Sequence, residues 1–142
     1  MGRIEKSIEI KAIPNDVWPM LFWDRLPEWL DIFKSVACTS GKRDCVGTTF
    51  HVVGETAGIR TEFDVEIMEL VENEKAAWRS TLGGSGRSNL SRTAAGTELK
   101  LIVNYALPYS IFGKMLDKLI VGKKIENSVD RGLEKLKSIL EK

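Results

Sequence analysis

The sequence predicts an α+β fold in which one long C-terminal helix lies across a twisted antiparallel sheet, and three observations predict it. Over 109–142, Phe112, Met115, Leu116, Leu119, Ile125, Val129, Leu133, Leu136 and Leu140 recur in steps of three or four, the spacing of one helix face. Over 36–107 the period changes to two, with turn residues returning at roughly ten-residue intervals, as in a hairpin meander. The strands so defined are wet on one face and apolar on the other, and only the terminal helix has the length to cover the apolar face. About thirty helical residues would span on the order of 45 Å, too long to be stable without a surface to pack on.

Each element follows in order. In 3–12, Ile4, Ile8 and Ile10 share one face and Glu5, Ser7 and Glu9 the other, a half-buried strand. Pro14-Asn15-Asp16 reads as a helix start with Asn15 or Asp16 as N-cap, and Pro27 suits the first position of a second short helix. Trp18, Phe22, Trp23, Trp29 and Phe33 concentrate here, either as a cradle for the long helix or as an aromatic wall against a ligand. Six strands follow. Val36 and Cys38 mark the first, Phe50 and Val52 the second. In the third, Ile59, Thr61, Phe63, Val65 and Ile67 alternate with Arg60, Glu62, Asp64 and Glu66. Ala76, Trp78, Ser80 and Leu82 mark the fourth, 87–93 is a polar fifth, and Leu99, Leu101, Val103, Tyr105 and Leu107 form the sixth.

The long helix carries Gly122 and Gly132 on or beside its apolar stripe, although Gly in a helix interior costs about 1 kcal/mol relative to Ala. They imply a bend, a closely approaching backbone, or an unfilled space beside the helix. Residues 111–121 are apolar nearly all round, more than one core-facing stripe needs. The lysines Lys114, Lys118, Lys123, Lys124, Lys135 and Lys137, interspersed with Asp117, Glu126, Asp130 and Glu134, read as a solvated face with supporting ion pairs.

Composition narrows the function. With 142 residues and no internal repeat or linker, one domain over 1–142 is expected. A formal net charge of +1 argues against charge-driven nucleic-acid binding. No apolar run approaches the ~20 residues of a membrane span and no signal-peptide pattern is visible, so a cytoplasmic protein without an integral membrane segment is expected. Cys38 and Cys45 are then expected to be reduced, with the thiol on the strand part of the core; a regulatory disulfide between them is the alternative. A single histidine and no Cys-x-x-Cys leave no closed metal site to expect, and no cofactor is implied.

General acid and base catalysis needs titratable groups beside the substrate, and the inward faces nearly lack them. Glu62, Asp64 and Glu66 fall on the wet face, and His51, between Phe50 and Val52, points away from the apolar side unless a bulge near Gly54 reverses it. The inward polar residues are Thr61, Ser80, Tyr105 and, by its position, Arg92; Tyr105 is the one catalytic candidate. Gly83-Gly84-Ser85-Gly86 lacks the Lys-Ser/Thr ending and following helix of a phosphate loop and reads as a hairpin turn.

The order of elements resembles the START/Bet v 1-like (SRPBCC) superfamily, as do four segments: Ala12-Ile13-Pro14-Asn15-Asp16-Val17-Trp18, Arg25-Leu26-Pro27-Glu28-Trp29-Leu30, Gly96-Thr97-Glu98-Leu99, and Leu107-Pro108 before the long helix. Within it the chain is most similar to the polyketide cyclase/dehydrase and lipid-transport-like proteins. The resemblance implies a helix-grip fold: a seven-stranded antiparallel sheet wrapped around the C-terminal helix, with a cavity between them. The alternation places Phe50, Val52, Phe63, Val65, Trp78, Ser80, Leu101, Val103 and Tyr105 of the sheet, with Phe112, Met115, Leu116 and Leu119 of the helix, on that cavity. The leading function is binding or transport of a small hydrophobic ligand such as a lipid, polyketide or isoprenoid-like molecule. The alternatives are a polyketide cyclase or dehydratase using the same cavity, and a protein-interaction, co-chaperone or homodimer surface at Ile111, Ile120 and Val121.

Overall fold

The computed structural model describes residues 2–56, 58–105 and 118–142, the side chains of 118–120 excepted. Seven strands, β1 (Gly2–Ile10), β2 (Phe33–Cys38), β3 (Thr49–Thr56), β4 (Ile59–Val71), β5 (Lys75–Ser80), β6 (Ser85–Arg92) and β7 (Thr97–Tyr105), form one antiparallel sheet in the order β1-β7-β6-β5-β4-β3-β2. The meander from β3 to β7 arises because each strand is joined to the next by a short turn, with Asn73 (φ 64°) taking the left-handed position between β4 and β5; the longer 39–48 loop joins β2 to β3. β1 joins the far edge, pairing Gly2 with Tyr105 and Ile10 with Thr97. β1 and β2 therefore occupy opposite edges, and the chain between them must cross the sheet.

That crossing is made of short pieces: α1 (Pro14–Val17) and two 3-10 turns, Trp18–Leu21 and Trp23–Glu28. Two expectations are corrected here. Ile13, extended and without a side-chain cap, precedes α1, so Pro14 itself takes the first turn and neither Asn15 nor Asp16 is the N-cap. Pro27 lies inside the second 3-10 turn rather than opening a helix; i→i+3 bonding tolerates its missing N–H where an α-helix would not. The segment is anchored by the Trp29 indole, which donates to the Met20 carbonyl at 2.8 Å in a buried site.

α2 (Lys118–Leu140) packs over the inner face through Val121, Val129, Leu133 and Leu136, all buried. The expected helix over 109–117 lies outside the described residues. Val121 is fully buried, so the expectation that it belongs to an exposed interaction surface is wrong; Ile111 and the Ile120 side chain lie outside the described residues. Neither glycine of α2 borders an unfilled space. A Cβ on Gly132 would meet the Trp29 carbonyl oxygen at 2.9 Å and Leu30 Cδ2 at 2.5 Å, and one on Gly122 would meet the Tyr105 hydroxyl at 2.5 Å. Both are close approaches. Asp31 ties the crossing segment to the same helix, accepting from the buried Ser128 hydroxyl at 2.5 Å and from Arg131 Nε at 3.1 Å. On the other side Lys6 of β1 reaches Glu126 at 3.1 Å and Asp130 at 3.3 Å, tying the helix to the sheet, while Glu126 also keeps the expected pairing along the helix with Lys123 at 3.7 Å.

Candidate functional site: an aromatic-lined cavity

Between the sheet, the crossing segment and α2 lies an apolar cavity of two adjoining lobes, with volumes of about 140 and 100 Å³. Trp23, Ile32, Phe33, Trp78, Val103 and Ile125 border both. Trp23 is the hub of an aromatic cluster. Its ring centroid is 5.1 Å from Phe33, 5.5 Å from Trp78 and 6.4 Å from Phe63, the last two edge-on, which are favourable quadrupole geometries. Trp78 lies flat over Gly86, where any side chain would overlap its ring, so the glycine expected in the turn is in fact the strand position that seats the tryptophan.

Local sequence explains the placement. Phe22 is extended, breaking the two 3-10 turns apart and turning Trp23 inward. The adjacent Asp24 is clamped by Arg43 of the β2–β3 loop through two bonds of 2.7 Å, with the guanidinium 4.6 Å above the Phe22 ring. Planar, bidentate pairing of this kind holds the loop against the segment that carries the hub, and Asp24 keeps the Arg43 guanidinium firmly protonated.

Of the sheet positions placed on the cavity by alternation, Phe63, Trp78, Ser80, Val103 and Tyr105 border the larger lobe, and Leu101, with Trp78 and Val103, the smaller. Phe50, Val52 and Val65 border neither. They face inward as alternation requires, but each is at most 1% exposed and belongs to the packed core. Phe112, Met115, Leu116 and the Leu119 side chain lie outside the described residues. Trp23, Trp29 and Phe33, offered from sequence as either cradle or ligand wall, border the cavity; Leu26, Leu30 and Ile32 of the crossing segment, and Ile125 and Val129 of α2, are lining that sequence reasoning misses.

The polar groups are few. Ser80 Oγ accepts the Leu82 N–H at 3.0 Å and so supports its turn, and Thr61 sits beside Gly54. The Tyr105 ring lies over Gly2, its register partner, and its hydroxyl over Gly122. Arg92 is exposed and lines neither lobe, correcting its inward placement: it closes β6 opposite Thr97, at the end of the sheet. Among the described residues, Tyr105 is the one titratable side chain that borders the cavity.

The remaining titratable groups named from sequence are on the outer face. His51 Nδ1 is 2.8 Å from Asp64 and Nε2 3.1 Å from Glu62, so the imidazole is held between two carboxylates, chiefly Asp64, that raise its pKa above 6.5. Glu66 pairs with Arg79 at 2.9 Å. Both cysteines are free and exposed, which corrects the reading of Cys38 as a core thiol: β2 is an edge strand and Cys38 falls at its open end. No group of three or more potential metal ligands occurs among the described residues.

No protein-family model matches the sequence, and no curated protein matches it either. Solved structures do. The fold is similar to that of TTHA0849 from Thermus thermophilus, with a TM-score of 0.78 and 21% identity over 98% of this chain and 97% of that one. It is similar to Ara h 8.0201, a Bet v 1 allergen, at a TM-score of 0.67 and 14% identity over 98% and 97% of the two chains. The chain has the Bet v 1-like helix-grip fold. The Zhui aromatase/cyclase from Streptomyces sp. R1128 shares it at a TM-score of 0.78, with 15% identity over 99% of this chain and 93% of that one. Within this helix-grip frame, no helix of the described residues is long and apolar enough to cross a membrane.

Proposed function

We propose that the protein binds a small hydrophobic molecule in the cavity between sheet, crossing segment and α2. The observation that carries this reading is the lining itself: Trp23, Trp29, Phe33, Phe63, Trp78 and aliphatic side chains line the space, with hydroxyls at its margin and Tyr105 as its one described titratable group. Such a site gains affinity from buried area and orientation from a few polar atoms, as carrier sites do. Unsaturated or ring-containing ligands, polyketide or isoprenoid-like, suit the edge-on rings best. Native mass spectrometry of freshly purified protein against its denatured mass should show a discrete retained ligand. Apolar ligands should quench the fluorescence of Trp23 and Trp78 and raise Tm, by about 2.7 kcal/mol of added stability at a hundredfold excess over Kd. A series of apolar ligands of different sizes that does neither overturns the proposal.

The second reading is a cyclase or dehydratase acting in the same cavity, favoured by the likeness to an aromatase/cyclase. Folding a poly-ketone chain into a reactive conformation needs shape more than titratable groups. Tyr105→Phe separates the two: an enzyme loses turnover with its fold retained, a carrier loses only modest affinity.

A further inference from the structure

A polar cleft adjoins the apolar cavity along the seam between α2 and the β2 edge of the sheet. Asp31, Lys34, Glu55, Lys124, Asn127 and Arg131 are on its walls. Ile32 and Thr56 border both the cleft and the larger lobe, so these two side chains are the partition between the two spaces. On α2 the switch takes one residue: Ile125 faces the cavity and Lys124 the cleft.

The charges of the cleft are unequal. Three cations, Lys34, Lys124 and Arg131, face two carboxylates, Asp31 and Glu55. Asp31 is already committed, bonded to Arg131 and Ser128, which hold its carboxyl below the usual range with a smaller contribution from Lys34. Arg131 is committed with it. Lys34 and Lys124 form no ion pair among the described residues, since the acids of α2 nearest in sequence turn to Lys6 and Lys123. Among the described residues one positive charge is left over beside an apolar void.

We propose that this cleft takes the carboxylate head of an amphipathic ligand whose hydrocarbon part fills the cavity, with Lys34 and Lys124 as its contacts. The proposal rests on the cavity reading above and adds the ligand's polar end to it. A singly charged head matches the one surplus charge, whereas a dianion would face Glu55 uncompensated and a cationic head would meet two lysines. The ligand is thus a hydrocarbon acid rather than a neutral sterol-like molecule.

Dodecanoate, 1-dodecanol and dodecylamine share a tail and differ in head, so titrating each against tryptophan fluorescence at neutral pH tests both levels. Dodecanoate should bind about five- to tenfold tighter than the alcohol, with the margin shrinking as salt is added. Lys34→Ala/Lys124→Ala should erase that margin and leave alcohol affinity unchanged; Glu55→Gln should widen it. Equal affinities for acid and alcohol in the wild type, or tightest binding of the amine, overturn the head-group assignment while leaving the cavity reading standing. If none of the three probes binds while apolar ligands of other sizes do, the head-group assignment falls and the cavity reading stands; if the whole size series fails with them, both fall.

Discussion

Gly132→Ala puts the packing of α2 to a direct test. In an exposed helix interior the exchange would stabilise by about 1 kcal/mol, because alanine loses less backbone entropy. At position 132 the new methyl would stand 2.5 Å from Leu30 Cδ2 and 2.9 Å from the Trp29 carbonyl oxygen. Leu30 can rotate away. The carbonyl cannot, because its segment is pinned by the Trp29 indole bond and by Asp31 to Ser128 and Arg131. Overpacking of this kind costs roughly 1–3 kcal/mol. Set against the propensity gain, a net loss of about 1 kcal/mol is expected, or about 3 °C in Tm. Gly122→Ala is the internal control: among the described residues its methyl meets the hydroxyl end of Tyr105, a side chain and not backbone, which can swing aside, so the propensity gain survives. Urea unfolding of both variants should therefore give changes of opposite sign. If Gly132→Ala is stabilised as much as Gly122→Ala, the close approach of α2 to Trp29 is refuted.

The ring protons of His51, followed by NMR through a pH titration, should report a pKa above 6.5 that falls back toward it in Asp64→Asn; titration at or below 6.5 in the wild type would refute the double carboxylate contact. Because the folded-state value is raised, the pair's stabilisation is complete below about pH 6.5 and is lost as pH rises from there through the folded value. Asp31 has the opposite sign: its carboxyl is lowered from 3.8, so its stabilisation is present above that pH and lost as pH falls through the folded value. Asp31→Asn should flatten this acid limb and cost about 1 kcal/mol at neutral pH through the buried Ser128 hydroxyl, which an unchanged urea midpoint would contradict. Trp29→Phe leaves the buried Met20 carbonyl without its donor and should cost about 2 kcal/mol; a change under a few tenths would show the bond to be dispensable.

The sheet was legible because alternation is a local signal. Phe63, Val65 and Ile67 declare their face within one strand, and the turns between β3 and β7 carry their own residues. Which inward residues border empty space was not legible. Val52 and Val103 share an inward face and the same side chain, yet one is sealed in the core and the other lines the cavity, a difference set by what packs opposite each. Here the opposing element is the 11–32 segment, and its 3-10 turns are too short to show a period. Its aromatic density pointed to a wall; its path across the sheet came only with the pairing of β1 to β7.

The opposite-edge placement of β1 and β2 also governs how the sheet can assemble. From β2 to β7 every strand pairs with its neighbour in sequence, so each ladder closes a short loop, the longest being 39–48 between β2 and β3. β1 pairs with a strand that follows it by most of the chain's length, in register from Gly2 with Tyr105 to Ile10 with Thr97. Loop-closure entropy makes such a pairing the costliest in the sheet, and it sets the contact order that slows folding. Until β7 exists as a chain, the strand carrying Ile4, Ile8 and Ile10 has no native partner. During synthesis it must wait with its apolar face uncovered, and the charged residues between those isoleucines, Glu5, Lys6 and Glu9, are what keep the waiting strand from pairing elsewhere.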